Sequence, residues 1–592
     1  MNLIELKNLI SCARGEIPSD FLIRNGTLIN VLTRELYKAD ISIYHNYIAN
    51  VAAPEELNPS NSKRVLDISG KFIVPGFIET HLHIESTMLP PIEFAKAVIP
   101  HGTTTVLLDP HEIGNALGIR GLNFLLEQTN NLPLRFLIEI PSCVPAAPGL
   151  ETSGFSIDSN DIEKLIEEKK GFFGLGEVMN YPGVLYKDEE VLKKVLLGKK
   201  LHIIDGHSPG VSGTDLDAYI ATGIESDHES TTSEEFLEKL RKGMHVLIRE
   251  GSLAKELKNI LGGLSNLDFD MRNCTLCSDD RNIIDLFTNG HMNAHLRIAI
   301  EAGVNPIVAL QMVTINAASF LGLDKKIGSV TPGKYADLVI LKDLNHFKIS
   351  SVFNNGKLVF DQNKLLFNFP KISYPEWAVN TIKLKSSIEP ELLHAKVSLP
   401  DGTYPVRVVG VMPYSVLTKS LVEELEVKDR CIYPNSSKDI LSLSVIERYG
   451  VNGNIFNAFI KGFKIQTQPF AMATTVAHDT HNLLVAGTDH KTMVKAVDKL
   501  IQIKGGYVVV AKDFIKEVSL PFAGLMTTKE YSSLYHELLD LNKSFSDITV
   551  FEEPLMALSF MALPVIPHLK VTDMGLVDVD QFAFTELVVG NK

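Results

Sequence analysis

The sequence predicts an α/β protein: a (β/α)8 TIM barrel flanked by a small β-sandwich and followed by an α+β domain. Two observations predict the barrel. Between residues 71 and 323, short apolar runs alternate with helical segments, and eight such units over about 250 residues are the usual content of this fold. The apolar runs also end repeatedly in histidine or an acidic residue, at the rim where the active sites of such barrels lie.

Composition limits the partners and the compartment. A length of 592 residues exceeds what one core holds, so several domains are expected. The net charge of −14 is spread along the chain, whereas a nucleic-acid partner requires a basic surface. The five cysteines are irregularly spaced, which is typical of a reducing compartment. No apolar run is long enough to span a membrane, and the N-terminus lacks a signal-peptide pattern, so we expect a cytoplasmic protein without a membrane partner.

The segments on either side of the barrel share a pattern of strands and turns. Residues 2–13 predict a short helix, and residues 20–66 then indicate short strands, with a hairpin at Asn25 and Gly26. Residues 327–341 return to this pattern, and residues 355–360 repeat it with a second hairpin at Asn355 and Gly356. Neither segment can bury a sheet alone, so we predict one β-sandwich assembled from residues 1–70 and 327–380.

The catalytic barrel is predicted at residues 71–326 and the last domain at residues 381–592. Barrel strands are expected to end at His83, Asp109, Pro145, Asn180, His207, His228, Gly251 and Asp279. Helical segments are expected at 91–99, 121–128, 161–170, 189–197, 216–221, 234–241 and 254–261, and then through 295–323. The last domain mixes strands such as 406–411 with helices such as 492–501, which is an α+β pattern.

Residues at five predicted strand ends are typical metal ligands. His81 and His83 are separated by one residue, and on a strand such a pair faces the same side and can reach one ion. Taken alone, the pair is equally well explained as two histidines on a surface strand. The other strand ends supply Glu177, His207, His228 and Asp279. Six nitrogen and oxygen ligands without a thiolate suit two metals of the Zn, Mn or Fe type, which can share a bridging carboxylate.

The motifs at residues 80–86, 109–112, 176–180, 205–207, 277–281 and 476–482 resemble those of the amidohydrolase superfamily and, within it, the bacterial adenine deaminases. The resemblance covers nearly the whole chain. Many amidohydrolases bridge their metals with a carboxylated lysine, whereas this chain has Glu177 at that position, as adenine deaminases do. A hydantoinase or dihydroorotase is therefore disfavoured.

The resemblance implies two divalent metal ions, Mn²⁺ with Fe²⁺ or Zn²⁺ as alternatives. His81 and His83 would hold one ion and His207 and His228 the other, with Glu177 as the bridge. Asp279 would contact a metal and move protons during catalysis. Asp280 is expected to point to the opposite side of its strand. Five further residues are expected to bind the purine, orient the ligands or close the site: Glu85, His111, Glu112, His478 and His481.

The implied reaction is the hydrolysis of adenine to hypoxanthine and ammonia, by attack of a hydroxide held by the two metals on C6. The expected partner is a small molecule, adenine, and the expected assembly is a homo-oligomer, a dimer or higher. Two alternatives stay open. One is an amidohydrolase acting on another purine or on a cyclic or acyl amide. The other is a non-catalytic metal-binding homologue, which is disfavoured because no ligand position is lost.

Two further patterns point elsewhere. Residues 83–85 with Cys274 and Cys277 are similar to the zinc nucleobase deaminases, but Asn273 stands where their pattern has proline. The cysteines are therefore interpreted as packing residues of a barrel strand. Residues 206–210 match a nucleophile elbow, yet Pro209 lacks the N–H group that the oxyanion hole of such an elbow requires.

Overall fold

The computed structural model describes residues 1–168, 171–264, 269–413 and 415–590. It has the mixed α/β architecture that the sequence predicts. The N-terminal segment comprises α1 (Leu3–Ala13), β1 (Phe21–Asn30), β2 (Glu35–Tyr44), β3 (Tyr47–Ala52), β4 (Val65–Asp67) and β5 (Phe72–Pro75). Helix α1 begins with a capping box, in which the side chains of Asn2 and Glu5 each accept a hydrogen bond from the other's backbone amide.

The middle of the chain alternates parallel strands with helices. In chain order the elements are β6 (Phe77–Leu82), α2 (Pro91–Val98), β7 (Thr103–Leu108), α3 (His111–Thr129), β8 (Arg135–Ile140), α4 (Ser159–Glu167), β9 (Gly174–Val178), α5 (Tyr181–Leu185), α6 (Glu189–Gly198), β10 (Ile204–Gly206), α7 (Gly213–Ala221), β11 (Ser226–Asp227), α8 (Ser233–Arg241), β12 (His245–Arg249), α9 (Leu257–Gly263), β13 (Cys274–Cys277), α10 (Ile283–Asn289), α11 (Met292–Glu301), α12 (Pro306–Met312) and α13 (Ile315–Phe320).

Hydrogen bonds join these eight strands into a ring. Strands β6 to β10 form one parallel sheet in chain order, and β11 to β13 form another. The Glu225 amide donates to the Ile204 carbonyl at 3.1 Å, which links β10 to the start of β11. At the opposite seam the Asp279 amide donates to the His81 carbonyl at 3.1 Å, which links the end of β13 to β6. Because all eight strands run the same way, their carboxyl ends meet at one rim.

The two flanks of the barrel form one nine-stranded sheet. After the barrel come β14 (Leu338–Leu341), β15 (Ile349–Asn354), β16 (Lys357–Asp361) and β17 (Lys364–Leu365). The strand order is β17-β16-β15-β14-β5-β1-β2-β3, with β4 also on β1. A two-sheet sandwich was expected; a single sheet results because β5 bonds along both edges, to β1 and to β14.

The two predicted hairpins behave differently. Asn355 and Gly356 form the tight turn between β15 and β16, and both have positive φ, as a two-residue hairpin requires. The hairpin predicted at Asn25 and Gly26 is wrong, because β1 continues through these residues with a bulge. The Asp40 carboxylate accepts a hydrogen bond from the Asn25 amide at 3.0 Å and so holds the extra residue within the strand.

Predicted strand ends lie within two residues of the observed ones, except at Pro145. Strand β8 ends at Ile140, because Pro141 has no N–H group with which to continue the ladder. The helical region predicted at 295–323 is divided into α11, α12 and α13, and Gly303, with φ of 97°, ends the first of them. Of the helix predicted at 161–170, Lys169 and Lys170 lie outside the described residues.

The last part of the chain packs on the barrel. It comprises α14 (Glu376–Val379), β18 (Ala395–Lys396), β19 (Gly402–Val411), β20 (Thr418–Lys428), β21 (Cys431–Ile432), β22 (Ile440–Ile446), β23 (Ile455–Lys461), β24 (Phe470–Thr474), β25 (Leu483–Gly487), α15 (His490–Gln502), β26 (Gly506–Ala511), β27 (Phe514–Ser519), α16 (Tyr531–Ser544), α17 (Pro554–Ser559), β28 (Leu569–Val571), β29 (Leu576–Asp578) and β30 (Ala583–Phe584). Strands β18 to β27 form a ten-stranded sheet. One hydrophobic cluster continues from Leu82 and Val106 of the barrel to Phe522 and Met561 of this part. None of the helices in the described ranges is both long enough and apolar enough to cross a membrane.

Candidate metal centre

Six predicted ligands meet at the carboxyl-terminal rim of the barrel. They are His81, His83, Glu177, His207, His228 and Asp279. All six side chains are buried. They lie at or just after the ends of β6, β9, β10, β11 and β13, so five strands that are distant in sequence bring them together. Ligand atoms of several subsets lie within 4.8 Å of one another: His81, His228 and Asp279; His81, His83 and Glu177; and Glu177, His207 and His228.

Glu177 occupies the middle of this group. Its Oε1 lies 3.3 Å from Nε2 of His83. Its Oε2 lies 2.6 Å from Nδ1 of His207 and 3.3 Å from Nε2 of His228. The two carboxylate oxygens therefore face different histidines, which is the arrangement that a bridging ligand needs.

The outer nitrogens of the first two histidines are fixed by the barrel. Nδ1 of His81 lies 2.6 Å from Oδ2 of Asp205, and Nδ1 of His83 lies 2.9 Å from the Asp109 carbonyl. These acceptors take the Nδ1 proton, so Nε2 is the ring nitrogen that faces the cluster. Nε2 of His81 is buried and has no hydrogen-bond partner among the described residues. Both imidazoles are thus oriented as ligands.

Asp279 leaves its strand in an unusual backbone conformation. Its φ is 53°, in the left-handed region, and β13 has already ended at Cys277. Oδ1 of Asp279 lies 3.1 Å from Nε2 of His83, and Oδ2 accepts a hydrogen bond from Nη1 of Arg249 at 2.8 Å. The expectation that Asp280 points away is wrong, because strand alternation no longer applies here; Asp280 lines the same cavity and accepts a hydrogen bond from the Ser86 hydroxyl.

Burial disfavours the charged forms of the titratable side chains in the cluster, but neighbouring groups of opposite charge outweigh this effect for Glu177 and His81. Burial would raise the pKa of Glu177, yet the facing histidines, His207 foremost, hold that pKa well below its usual value. Burial would lower the pKa of His81, yet Asp205 raises it well above the ordinary value. The site therefore concentrates ionised carboxylates beside imidazoles in a region closed to solvent, and such a donor set suits a cation.

The last part of the chain covers the rim. Five of the six side chains, all but His81, line a cavity that is also lined by Val416, His478, Asp479, Phe560, Leu563 and Ile566. Nε2 of His111, at the start of α3, lies 3.7 Å from Oδ1 of Asp479. Buried Lys570 joins two covering segments, since its Nζ donates to the carbonyls of Val416 and Phe560, each at 2.9 Å. Burial lowers the pKa of Lys570 to about 7.

The five residues expected to bind the purine divide into two groups. His111, Glu112 and His478 line the cavity. Glu85 and His481 are not among the lining residues and lie behind them. Oε1 of Glu85 accepts a hydrogen bond from the Ile113 amide at 3.0 Å, and burial together with the Glu112 charge raises the pKa of Glu85 to about 8. Nε2 of His481 lies 3.4 Å from Oε2 of Glu112.

Sequence reasoning missed two residues that hold the ligands in position. Asp205 orients His81. The sequence could have indicated this residue, because Asp205 precedes His207 by two residues in the same motif. Arg249 binds Asp279, and also Glu229, from the end of β12. Its partners come from other strands, and the sequence carries no sign of that pairing.

Two family models match the chain. Residues 72–359 match the model described as Amidohydrolase family, and residues 415–583 match the model described as Adenine deaminase C-terminal domain. The amidohydrolase family implies the use of divalent metal ions, and the imidazoles and carboxylates at the rim are groups that could hold such ions.

Curated relatives extend the match to the full length. The adenine deaminase of Staphylothermus marinus is 41% identical, over 98% of this chain and 97% of the relative. Adenine deaminase 2 of Carboxydothermus hydrogenoformans is 40% identical over 98% of each chain, and the adenine deaminase of Methanothrix thermoacetophila is 38% identical over 99% of this chain and 100% of the relative. The chain belongs to the adenine deaminase family.

Proposed function

We propose that the chain is an adenine deaminase, a hydrolase acting on a C–N bond that converts adenine and water to hypoxanthine and ammonia. One observation carries the proposal. The ligand-type residues of the barrel rim share a single cavity with residues of the segment that matches the adenine deaminase C-terminal domain, among them Val416, His478 and Phe560. Residues from both segments that match a family model, the barrel and the C-terminal segment, thus line one cavity.

The residues present fit two divalent metal ions. The donors are nitrogen and oxygen without thiolate, and the unpartnered Nε2 of buried His81 is a donor atom that a metal would satisfy. The proposed ligands are His81 and His83 for one ion, His207 and His228 for the other, Glu177 as the bridge, and Asp279. When bound, such ions lower the pKa of coordinated water from about 15.7 towards 7. We propose manganese, with iron or zinc compatible with the same donors.

Asp279 is proposed to move the protons. Arg249 occupies its Oδ2, so Oδ1 is the oxygen free to take a proton from the water that adds to C6. Returning that proton to a ring nitrogen, and a second one to the amino group, turns the amino group into the leaving ammonia. General acid–base transfer of this kind is typically worth about 10²–10⁴-fold in rate. His111 and His478 are proposed to face the purine, with Glu85, Glu112 and His481 supporting them.

We propose that the chain works in the cytoplasm, which the five unpaired cysteines favour, and that it assembles as a homo-oligomer. Nucleic acid and membranes are not proposed as partners. The proposed division of the chain is 1–70 and 327–380 for the flanking sheet, 71–326 for the catalytic barrel, and 381–592 for the last domain.

The test is hypoxanthine formation by purified protein reconstituted with manganese. Ammonia release is measured in parallel over other purines and over cyclic and acyl amides. Turnover of adenine above all other substrates supports the proposal. Turnover of another purine or amide but not of adenine leaves an amidohydrolase of different specificity, and metal binding without any turnover leaves a non-catalytic homologue.

A further inference from the structure

A second cluster of buried histidines and carboxylates lies beside the metal centre, between the barrel and the last domain. It consists of Glu112, at the start of α3, and of His478 and His481, from the segment between β24 and β25. Nδ1 of His478 lies 2.8 Å from Oε1 of Glu112, and Nε2 of His481 lies 3.4 Å from Oε2. One carboxylate from the barrel therefore faces two imidazoles from the covering domain.

The tautomer of His481 shows what this cluster can do. The Ala477 amide donates to Nδ1 of His481 at 3.0 Å, so Nδ1 carries a lone pair and the ring proton resides on Nε2. His481 therefore presents an N–H group to Glu112. A metal ion would need the lone pair at that position, so we read the cluster as one carboxylate paired with two imidazoles and not as a third metal site.

The position of His481 is fixed by a buried arginine. Nη1 of Arg448 donates to the Thr381 hydroxyl at 2.6 Å and Nη2 donates to the Ala523 carbonyl at 2.8 Å, while Nε donates to the His481 carbonyl. The arginine is fully buried. The bond from Nε holds the backbone of His481. Because His481 lies against Glu112, the arginine also helps to fix the carboxylate that His478 faces.

The backbone amide, the ring face and Nδ1 of His478 each have a partner in the protein. Its amide donates to the Ser559 carbonyl at 2.9 Å, and its ring stacks on Phe560 with centroids 4.4 Å apart. Nδ1 is committed to Glu112. Across the described ranges Nε2 has no hydrogen-bond partner, and the residue lines the cavity that contains Glu177 and His207. Nε2 is thus the one polar atom of His478 that can meet a molecule in that cavity.

We propose that His478 is a substrate-binding residue of the deaminase site, whose Nε2–H group donates a hydrogen bond to a ring nitrogen of the purine. Glu112 and His481 act through His478 and are positioning residues. The covering domain thereby supplies part of the recognition of the base, and the barrel supplies the reacting groups. This inference rests on the proposed function and deepens it. Burial alone would lower the pKa of His478, but the facing Glu112 carboxylate outweighs it and raises that pKa to about 9, so the imidazolium form that carries both N–H groups is present at neutral pH.

Two variants of His478 separate this role from a purely structural one. An asparagine amide reaches about as far as Nδ1 and keeps the bond to Glu112, whereas a glutamine amide reaches about as far as Nε2 and keeps the donor in the cavity. Wild type, His478→Asn and His478→Gln are compared for kcat and KM with adenine, for hypoxanthine binding by calorimetry, and for metal content. We expect His478→Asn to lose about 10–100-fold in kcat/KM and in hypoxanthine affinity, at unchanged metal content. His478→Gln should retain most of both values.

A loss in His478→Gln equal to or larger than that in His478→Asn assigns His478 to the contact with Glu112 alone and overturns the proposal. Wild-type values for His478→Asn overturn it as well. Inhibition of the wild type by 1-, 3- and 7-deazaadenine needs no variant: one analogue should bind about 10–100-fold more weakly, and equal binding of all three overturns the proposal. Absence of adenine turnover by the wild type overturns the proposed function itself, whereas turnover without these contrasts overturns only the role of His478.

Discussion

Arg249 donates a hydrogen bond from Nη1 to Oδ2 of Asp279 at 2.8 Å. The guanidinium is itself buried and also binds Glu229. It fixes one oxygen of the aspartate and turns the other towards the histidines of β6. A residue at the end of one strand thus sets which oxygen of Asp279 faces the histidine cluster.

Replacing Asp279 by asparagine should abolish proton transfer while preserving the shape of the site. We expect kcat to fall by about 10²–10⁴-fold, with hypoxanthine affinity close to that of the wild type. Rate assays and calorimetry on the same preparation measure the two quantities. Asp280→Asn serves as the comparison, because Asp280 lines the same cavity but accepts its hydrogen bond from Ser86. A larger loss in Asp280→Asn than in Asp279→Asn would show that Asp280, and not Asp279, transfers the proton.

Removing the Glu177 carboxylate should lower the metal content of the protein without unfolding it. Glu177→Ala leaves three histidines, His83, His207 and His228, without the oxygens that face them. We expect less than two metal ions per chain after dialysis, loss of nearly all activity, and an unchanged circular dichroism spectrum. Glu163→Ala removes the same side chain from an exposed ion pair with Lys200 and should retain both ions. Full metal content in Glu177→Ala contradicts the assignment of the bridge.

Asp205 is expected to act on the metal through His81. In Asp205→Asn the acceptor for the Nδ1 proton of His81 is weakened, and the ring is no longer held in one tautomer. Losses of such orienting partners typically lower metal affinity or activity by about 10–100-fold. Competition with a chelator measures the affinity, with Asp217→Asn, at an exposed ion pair, as the control. Equal chelator sensitivity in the two variants would show that His81 needs no orienting partner.

Lys570 should make stability depend on pH. Its folded pKa, about 7, lies below the ordinary value of 10.5, so between these pH values the unfolded chain binds more protons than the folded one. Stability therefore rises with pH from about 7 upward, by at most about 1.4 kcal/mol per pH unit, and below pH 7 the contribution is constant. The difference in unfolding midpoint between wild type and Lys570→Met should grow in favour of the wild type from pH 7 to pH 9.

The matched control for this pH dependence is Lys512→Met, at an exposed position of the same domain. Both variants and the wild type are unfolded at equal metal concentration, because bound metal shifts the midpoint by mass action. A wild-type advantage over Lys570→Met that stays constant between pH 7 and pH 9 would contradict a lowered pKa of Lys570 in the folded chain. Lys512→Met should follow the wild type at each pH.

The sequence predicted the parts of the site that depend on one strand at a time. His81 and His83 share a face because strands alternate with a period of two, and this rule needs no tertiary information. The same rule failed at Asp280, because the chain leaves β13 at Cys277 and Asp279 adopts a left-handed backbone. The alternation of side chains along a strand predicts which residues share a face inside the strand, but it does not apply to residues beyond the strand's end.

Side-chain contacts between paired strands could not be predicted from the sequence. The pairing of Arg249 with Asp279 depends on the register of β12 with β13, and the wrongly predicted turn at Asn25 depends on Asp40 of the neighbouring strand. The position of the segment 478–482 near the barrel rim was a hypothesis, and the structure places His478 in the same cavity as His207. Fold class could be predicted from repetition along the chain, whereas individual side-chain partners depend on how strands and covering segments are aligned in the folded chain.

The sheet that joins β5 to β14 has a consequence for synthesis on the ribosome. Strand β5 is complete at Pro75, and its partner β14 begins at Leu338, roughly 260 residues later. At about 5–20 residues per second, the nascent chain carries one edge of β5 unpaired for on the order of 13–50 s. Such an edge is a template for pairing with another chain. Newly made chains on one polysome are therefore most exposed to mispairing while the residues between these two strands are being synthesised. Slow translation or dense loading of the message increases that exposure.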